Sequence, residues 1–306
     1  MKLGFWIGVA TIATASALGA PVRVPGTRVS LDPPESFTVA EQFPGFGRAD
    51  IGASIMVTEM SVPVAEMQKG MTEGLAKNGM TLIESRKQKV GGKDALLLKV
   101  SQHATGTEFL KLIMVAGDQR RTTMVTGTYP KEMAAELEAA IKRSILSVTW
   151  ASKTSDDPFE GLLYRIEPTE KLKFAGRVGN MLMFNESGSK GPLHSNEPHY
   201  IVGNSVNSTT VDNVRSFSEA RATTTASLKD IKQLNGRELT VDGLKGYELL
   251  ADAKYDKTGA PTRLYQVIAV DEQGYFIIQG IVPTERAEEW VPEFQKLTAS
   301  FRRNKK

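Results

Sequence analysis

Apolar residues recur along the chain with two different periods, and the alternation between them outlines the fold. Val64, Met67, Met71 and Leu75 stand three or four apart, the spacing of one helix face. Pro63 suits the first helical position and Asn78-Gly79 makes a stop. Leu137, Ile141, Ile145 and Val148 repeat that spacing and predict a helix over Lys131–Ser147. Between the two helices the pattern is that of strands. Leu82–Val90 and Ala95–Val100 flank the tight-turn pair Gly91-Gly92, and Phe109–Ala116 and Thr122–Gly127 flank Gly117-Asp118. Shorter strands are expected at Arg28–Leu31, Phe37–Ala40 and Ser54–Met60.

The order then recurs. Val90-Gly91-Gly92 matches Val241-Asp242-Gly243, Asp118 matches Asp271, and Gly127-Thr128-Tyr129-Pro130 matches Gly280-Ile281-Val282-Pro283. Beyond the proline, Leu137, Ile141, Ser144 and Val148 align with Trp290, Phe294, Leu297 and Phe301. The stretch Gly26–Pro33 recurs as Gly161–Pro168, so whole domains are repeated, in units far longer than those of a solenoid. The organisation expected is a leader at 1–17, a first domain at 22–150, a linker at 151–159 rich in Lys, Ser, Thr, Asp and Pro, and a second domain at 160–306. In the second domain Asp212 is expected to cap a helix whose apolar face begins with Val214 and Phe217, and Thr284 to cap the last helix. Pro292 lies inside that last helix or restarts it. The predicted fold class is α+β: two tandem two-layer domains, each an antiparallel sheet with both helices on one face.

These features resemble the PsbP-like fold. The resemblance is carried by Val29–Phe37, by Phe43-Pro44-Gly45-Phe46, by Val90–Ala95 and by the Gly127–Pro130 strand end before the last helix. It covers both halves, the first more clearly. It implies a non-enzymatic binding or assembly module and carries over no catalytic residue.

Composition narrows the class further. Of the 306 residues 41% are hydrophobic and 24% charged, as in a folded soluble protein, and the length suits two domains. Lys2 precedes an uncharged run, Leu3–Ala20, and Ala15-Ser16-Ala17 fits a small-x-small cleavage site. This reads as a secretory signal peptide cut after Ala17, which places the protein in the periplasm or outside the cell; a retained membrane anchor is the alternative. There is no Cys, so each domain stands on packing alone. Removing Lys2 with the leader lowers the formal net charge of +3 by one, a balance that points to no nucleic acid. The basic end Arg302–Lys306 reads as a solvated tail.

Candidate chemistry is sparse. No nucleophile elbow, phosphate loop or H-E-x-x-H is present. Ser187 and Lys190 match S-x-x-K by letters, but Gly188 and Gly191 make that stretch a loop. Asp118 and Asp271 sit at hairpin turns, where Asp serves local hydrogen bonding. One stretch stands out. The second domain carries about ten extra residues between two strands, and long insertions are often functional. The insertion contains His194, Glu197 and His199, ligand types that suit zinc or a similar ion, with water completing the shell. The function expected is an exported, non-catalytic binding or scaffold protein without a cofactor. Its partner, a protein or small molecule, would sit between the domains. Metal handling through His194, Glu197 and His199, and a hydrolase, are the alternatives.

Overall fold

The computed structural model describes residues 21–104, 106–153, 155, 157–190 and 196–304. The leader expected at 1–17 and His194 lie outside the described residues.

The first half opens with β1 (Val22–Arg23), β2 (Val29–Leu31), β3 (Thr38–Val39), β4 (Gly45–Arg48) and β5 (Ala53–Met60). Helix α1 (Val64–Lys77) leads into the meander β6 (Met80–Val90), β7 (Lys93–Ala104), β8 (Thr107–Gly117) and β9 (Thr122–Pro130). A 3-10 turn, α2 (Ala134–Leu146) and β10 (Thr149–Trp150) close it. The second half runs β11 (Tyr164–Arg165), β12 (Lys173–Val178), β13 (Met181–Asn185), β14 (His199–Asn204) and α3 (Val214–Thr223). Then come β15 (Leu228–Val241), β16 (Leu244–Tyr255), β17 (Pro261–Asp271), β18 (Gly274–Pro283), α4 (Ala287–Ala299) and β19 (Arg302–Arg303). Two antiparallel seven-stranded sheets result, β3-β4-β5-β9-β8-β7-β6 and β12-β13-β14-β18-β17-β16-β15, with the same strand order. The α+β class expected from the sequence is what the chain adopts.

The turns have a clear cause. Gly91 and Gly92 both have positive φ, 52° and 80°, as a two-residue hairpin turn that follows sheet twist requires. Gly127 and Gly280, the glycines of the repeated strand end, have a different reason. A Cβ at Gly127 would collide with Ile141 of α2, and one at Gly280 with Phe294 of α4. Glycine there lets the helix lie directly on the strand.

Helix placement departs from the expectation. Leu137, Ile141 and Ile145 of α2 share a core with Leu97, Leu112 and Met114. Met71 and Leu75 of α1 share another with Leu98, Ile113 and Val115. Neighbouring strand residues point to opposite faces, so α1 and α2 cover opposite sides of the sheet. The second sheet is built alike: Trp290, Phe294 and Leu297 of α4 pack with Tyr265 and Val267, while Val214 and Ala222 of α3 pack with Leu249, Leu264 and Ile281. The two-layer picture is therefore corrected to a sheet covered on both faces. The sequence carried the reason, since Leu96-Leu97-Leu98 and Leu112–Ala116 are unbroken apolar runs, the mark of a strand buried on both sides.

Two caps also differ. Asn213, not Asp212, caps α3, its side chain accepting from the Ser216 amide at 2.9 Å. Thr284 opens a 3-10 turn, and α4 begins after Arg286 without a side-chain cap. Pro292 lies inside α4. Trp290 and Phe294 are buried, as their place in the repeat requires.

Candidate functional site: the groove between the halves and the inserted loop

The halves meet through side chains from both. Glu160 pairs with Arg23 and accepts from the Gly26 amide at 3.1 Å. Arg177 donates to the Glu160 carbonyl at 2.7 Å and the Gly179 carbonyl at 2.7 Å, and burial pulls its pKa below the ordinary arginine value. Gly26 (φ +72°) lies against that guanidinium, and Gly161 (φ +69°) against Pro25, so left-handed glycines occur on both sides of the junction. Asn204 of β14 donates to the Gln42 carbonyl at 2.9 Å.

Beside Asn204 an open groove of about 940 Å³ runs between the halves. The first half contributes Glu41 and Gln42; the second contributes Asp242, Asp271, Glu272 and Tyr275 together with Arg302 and Arg303 of β19. Arg303 is held by Asp242 at 3.1 Å and Asp271 at 3.4 Å. The Arg303 amide and guanidinium hold the Asp242 carboxyl below the usual carboxylate range. The Arg302 guanidinium donates to the Ala299 and Phe301 carbonyls. Among the described residues the groove is thus lined by four carboxylates, two of them paired with Arg303, and two guanidinium groups. The turn Asp residues act as the sequence implied: Asp118 accepts from the amides of Arg120 and Arg121, at 2.8 and 3.0 Å, and Asp271 from that of Gln273 at 3.3 Å. Arg303, read as part of a solvated tail, is instead a built-in wall of the groove. A β-bridge with Tyr164 holds it there. The two Arg side chains gave no apolar period from which this could be read.

The inserted loop follows β13, and its described residues are pinned. Asn185 accepts from the Gly188 amide at 2.6 Å and donates to the Ser189 carbonyl at 3.0 Å. Glu186 pairs with Arg286 at 2.8 Å, which holds its carboxyl low. Glu197 accepts from the Ser187 amide at 2.7 Å. His199 opens β14 with its ring 3% exposed, Nδ1 3.2 Å from the Glu197 carbonyl, and burial lowers its pKa to about 4. Glu197 and His199 are thus brought to one end of the loop. No group of three or more potential metal ligands occurs among the described residues, a set that excludes His194. His199 has no hydroxyl nucleophile hydrogen-bonded to it among the described residues.

No family model and no curated protein matches the chain. Solved structures do resemble it. The cyanobacterial PsbP of Synechocystis matches over 46% of this chain and 82% of its own, at 10% identity and a TM-score of 0.29. LpqN of Mycobacterium tuberculosis, whose structure is described as involved in cell envelope biogenesis, matches over 40% and 82%, at 12% and 0.34. The immunity protein TplEi of Pseudomonas aeruginosa spans 90% of this chain and 95% of its own, at 13% and 0.32. The set includes a PsbP, the family to which the sequence motifs pointed. No helix among the described residues is long and apolar enough to cross a membrane.

Proposed function

We propose that the chain is an exported, non-catalytic binding protein made of two tandem copies of one domain, at 22–150 and 160–306 with a linker at 151–159. In this reading the groove between the copies takes a protein partner through a basic segment. The duplication is supported by the common strand order and by the matched glycines at Gly127 and Gly280. Export, with maturation at Leu18, is supported by the leader-like residues Lys2–Ala17.

The groove carries the binding reading. It is open, it is lined from both halves, and among the described residues its lining carries four carboxylates against two guanidinium groups, a negative balance. Capture from the native exported fraction, with wild-type protein and a Glu41→Lys/Glu272→Lys variant side by side, tests it. A basic partner retained by the wild type and lost by the variant is expected. Equal capture by both would overturn the groove as the site. N-terminal sequencing of the native protein tests export.

Metal binding by His194, Glu197 and His199 is the second reading. What favours it is that burial keeps the His199 imidazole neutral at physiological pH, the form that coordinates a metal. Against it, the Glu197 carboxylate already accepts the Ser187 amide. Calorimetric titration with zinc decides: binding tighter than about 100 μM that is lost in a His194→Ala/His199→Ala variant would establish the site.

A further inference from the structure

The two sheets differ at one matched row of residues. In the first sheet Leu82, Val100, Lys111, Thr128 and Ser54 are cross-strand partners in turn. In the second the corresponding row is Gln233, Ala251, Leu264, Ile281 and His199. Each row lies on the face that carries the first helix of its half, α1 or α3. The second row is closed at its centre, with Leu264 fully buried and Ile281 5% exposed, and is exposed at its edge residue Gln233. In the first row Lys111, Thr128 and Ser54 are half-exposed, whereas Val100, fully buried under α1, separates them from the exposed edge residue Leu82.

The polar groups of the open row are unused. Lys111 has no carboxylate partner, and no hydrogen bond engages the side chains of Lys111, Thr128 or Ser54 among the described residues. Burial alone shifts the lysine, lowering its pKa. Direct cross-strand neighbours stand about 5 Å apart at Cβ, so the ammonium and two hydroxyls line up on one face. Apolar groups flank them on that face. Phe109 lies one step along β8, half-buried beside Gly52, and Met56 one step along β5. An unpaired, partly desolvated cation next to hydroxyl donors suits an oxyanion, and the adjoining apolar surface suits a chain attached to it.

We propose that this face of the first sheet binds an amphiphilic carboxylate, its head on Lys111, Thr128 and Ser54 and its apolar tail along Phe109. The matched row of the second sheet has lost the site by filling it with Leu264 and Ile281. The placement is independent of the groove between the halves.

Octanoate titrated into the mature full-length protein, followed by amide chemical shifts, tests the proposal. A ligand of this size is expected to saturate in about the millimolar range. The shifts should centre on Thr128, Lys111 and Ser54 and spare Leu264 and Ile281. Lys111→Met should weaken binding by at least about tenfold, the scale of a lost charge-assisted hydrogen bond, while Lys111→Arg retains it. Acetate should bind more weakly than octanoate, because it lacks the tail. No saturable shift, shifts centred elsewhere, equal binding by acetate, or unchanged affinity in Lys111→Met with native circular dichroism would each overturn the proposal.

Discussion

The faces under α1 and α3 share a strand order and a register, yet one is open and the other sealed. Beneath α3, Gln266 donates to the Ser218 carbonyl at 2.7 Å and to its hydroxyl at 2.9 Å, and Gln279 reaches Thr225 and Gln266, both at 3.0 Å. The Gln266 amide and the Ser218 and Thr225 hydroxyls are all engaged in that network, which fixes how the helix sits. The loop after β13 closes the same face further out, with Gly188 packed over Lys173. Beneath α1 the face has neither device. Met71 and Leu75 cover Leu98 and Ile113, and beyond them Lys111 and Thr128 meet solvent. Equal backbones therefore do not produce equal surfaces; helix docking and loop length decide what a sheet face can offer.

The largest effect should come from carrying the open row's residue into the closed one. Leu264→Lys places an unpaired ammonium where the native side chain is fully buried. A cost of about 5 kcal/mol or loss of folding is expected in urea unfolding, since no carboxylate in that core could meet the charge. A cost below about 2 kcal/mol would mean that the second face opens as readily as the first, and the contrast would fail.

Next in size is the face opposite. Phe294→Ala removes a fully buried ring that lies on Gly280 and touches Tyr200, Tyr265 and Trp290. About 3–5 kcal/mol of destabilisation is expected. The matched Ile141→Ala in the first half should cost less, about 2–4 kcal/mol, because a smaller side chain leaves a smaller cavity.

His199 sharpens the comparison through pH. Its imidazole is neutral in the folded chain, with a pKa near 4 against 6.5 when exposed. The unfolded chain binds the extra proton first, so His199 contributes fully above about pH 6.5, and that contribution fades as pH falls toward about 4. The swing is about 3 kcal/mol. Unfolding of wild type and His199→Leu at pH 7 and pH 4.5 should show the wild type losing more stability to acid. Equal losses would mean that the ring is not desolvated. Ser54, which holds the matched place in the first sheet, cannot titrate and gives no such slope.

Much of this was legible in the sequence, and the rest had physical reasons to escape. Helix faces, hairpin glycines and the repeated Gly-x-x-Pro end follow from local periods and turn chemistry, which act within a few residues. The opposite placement of α1 and α2 was written in the unbroken runs Leu96–Leu98 and Leu112–Ala116, but a helix face does not say which side of a sheet it will meet. Of the loop's candidate ligands, Glu197 and His199 were visible as residue types, whereas the bond from Ser187 to Glu197 depends on how the loop folds back. The groove was out of reach for a similar reason. Glu41, Asp271 and Arg303 are far apart in the chain, and only the packing of the halves joins them. Lys111 gave no signal either, since one lysine in a strand is ordinary until its cross-strand partners are known.

The smallest effect belongs to that lysine. Lys111→Leu removes an ammonium that is partly desolvated and has no carboxylate partner among the described residues, and it leaves a shorter, apolar side chain on the same face. Stability should change by less than about 1 kcal/mol, and toward the more stable side, because the desolvation cost disappears and nothing paired is lost. Solubility should fall, because the new leucine joins half-buried Phe109 in one apolar patch. Thermal unfolding and light scattering read the two effects separately. A destabilisation above about 2 kcal/mol would mean that the amine is structurally engaged after all. The open face would then be a packed one, and the difference between the two sheets would shrink to the loop and α3 alone.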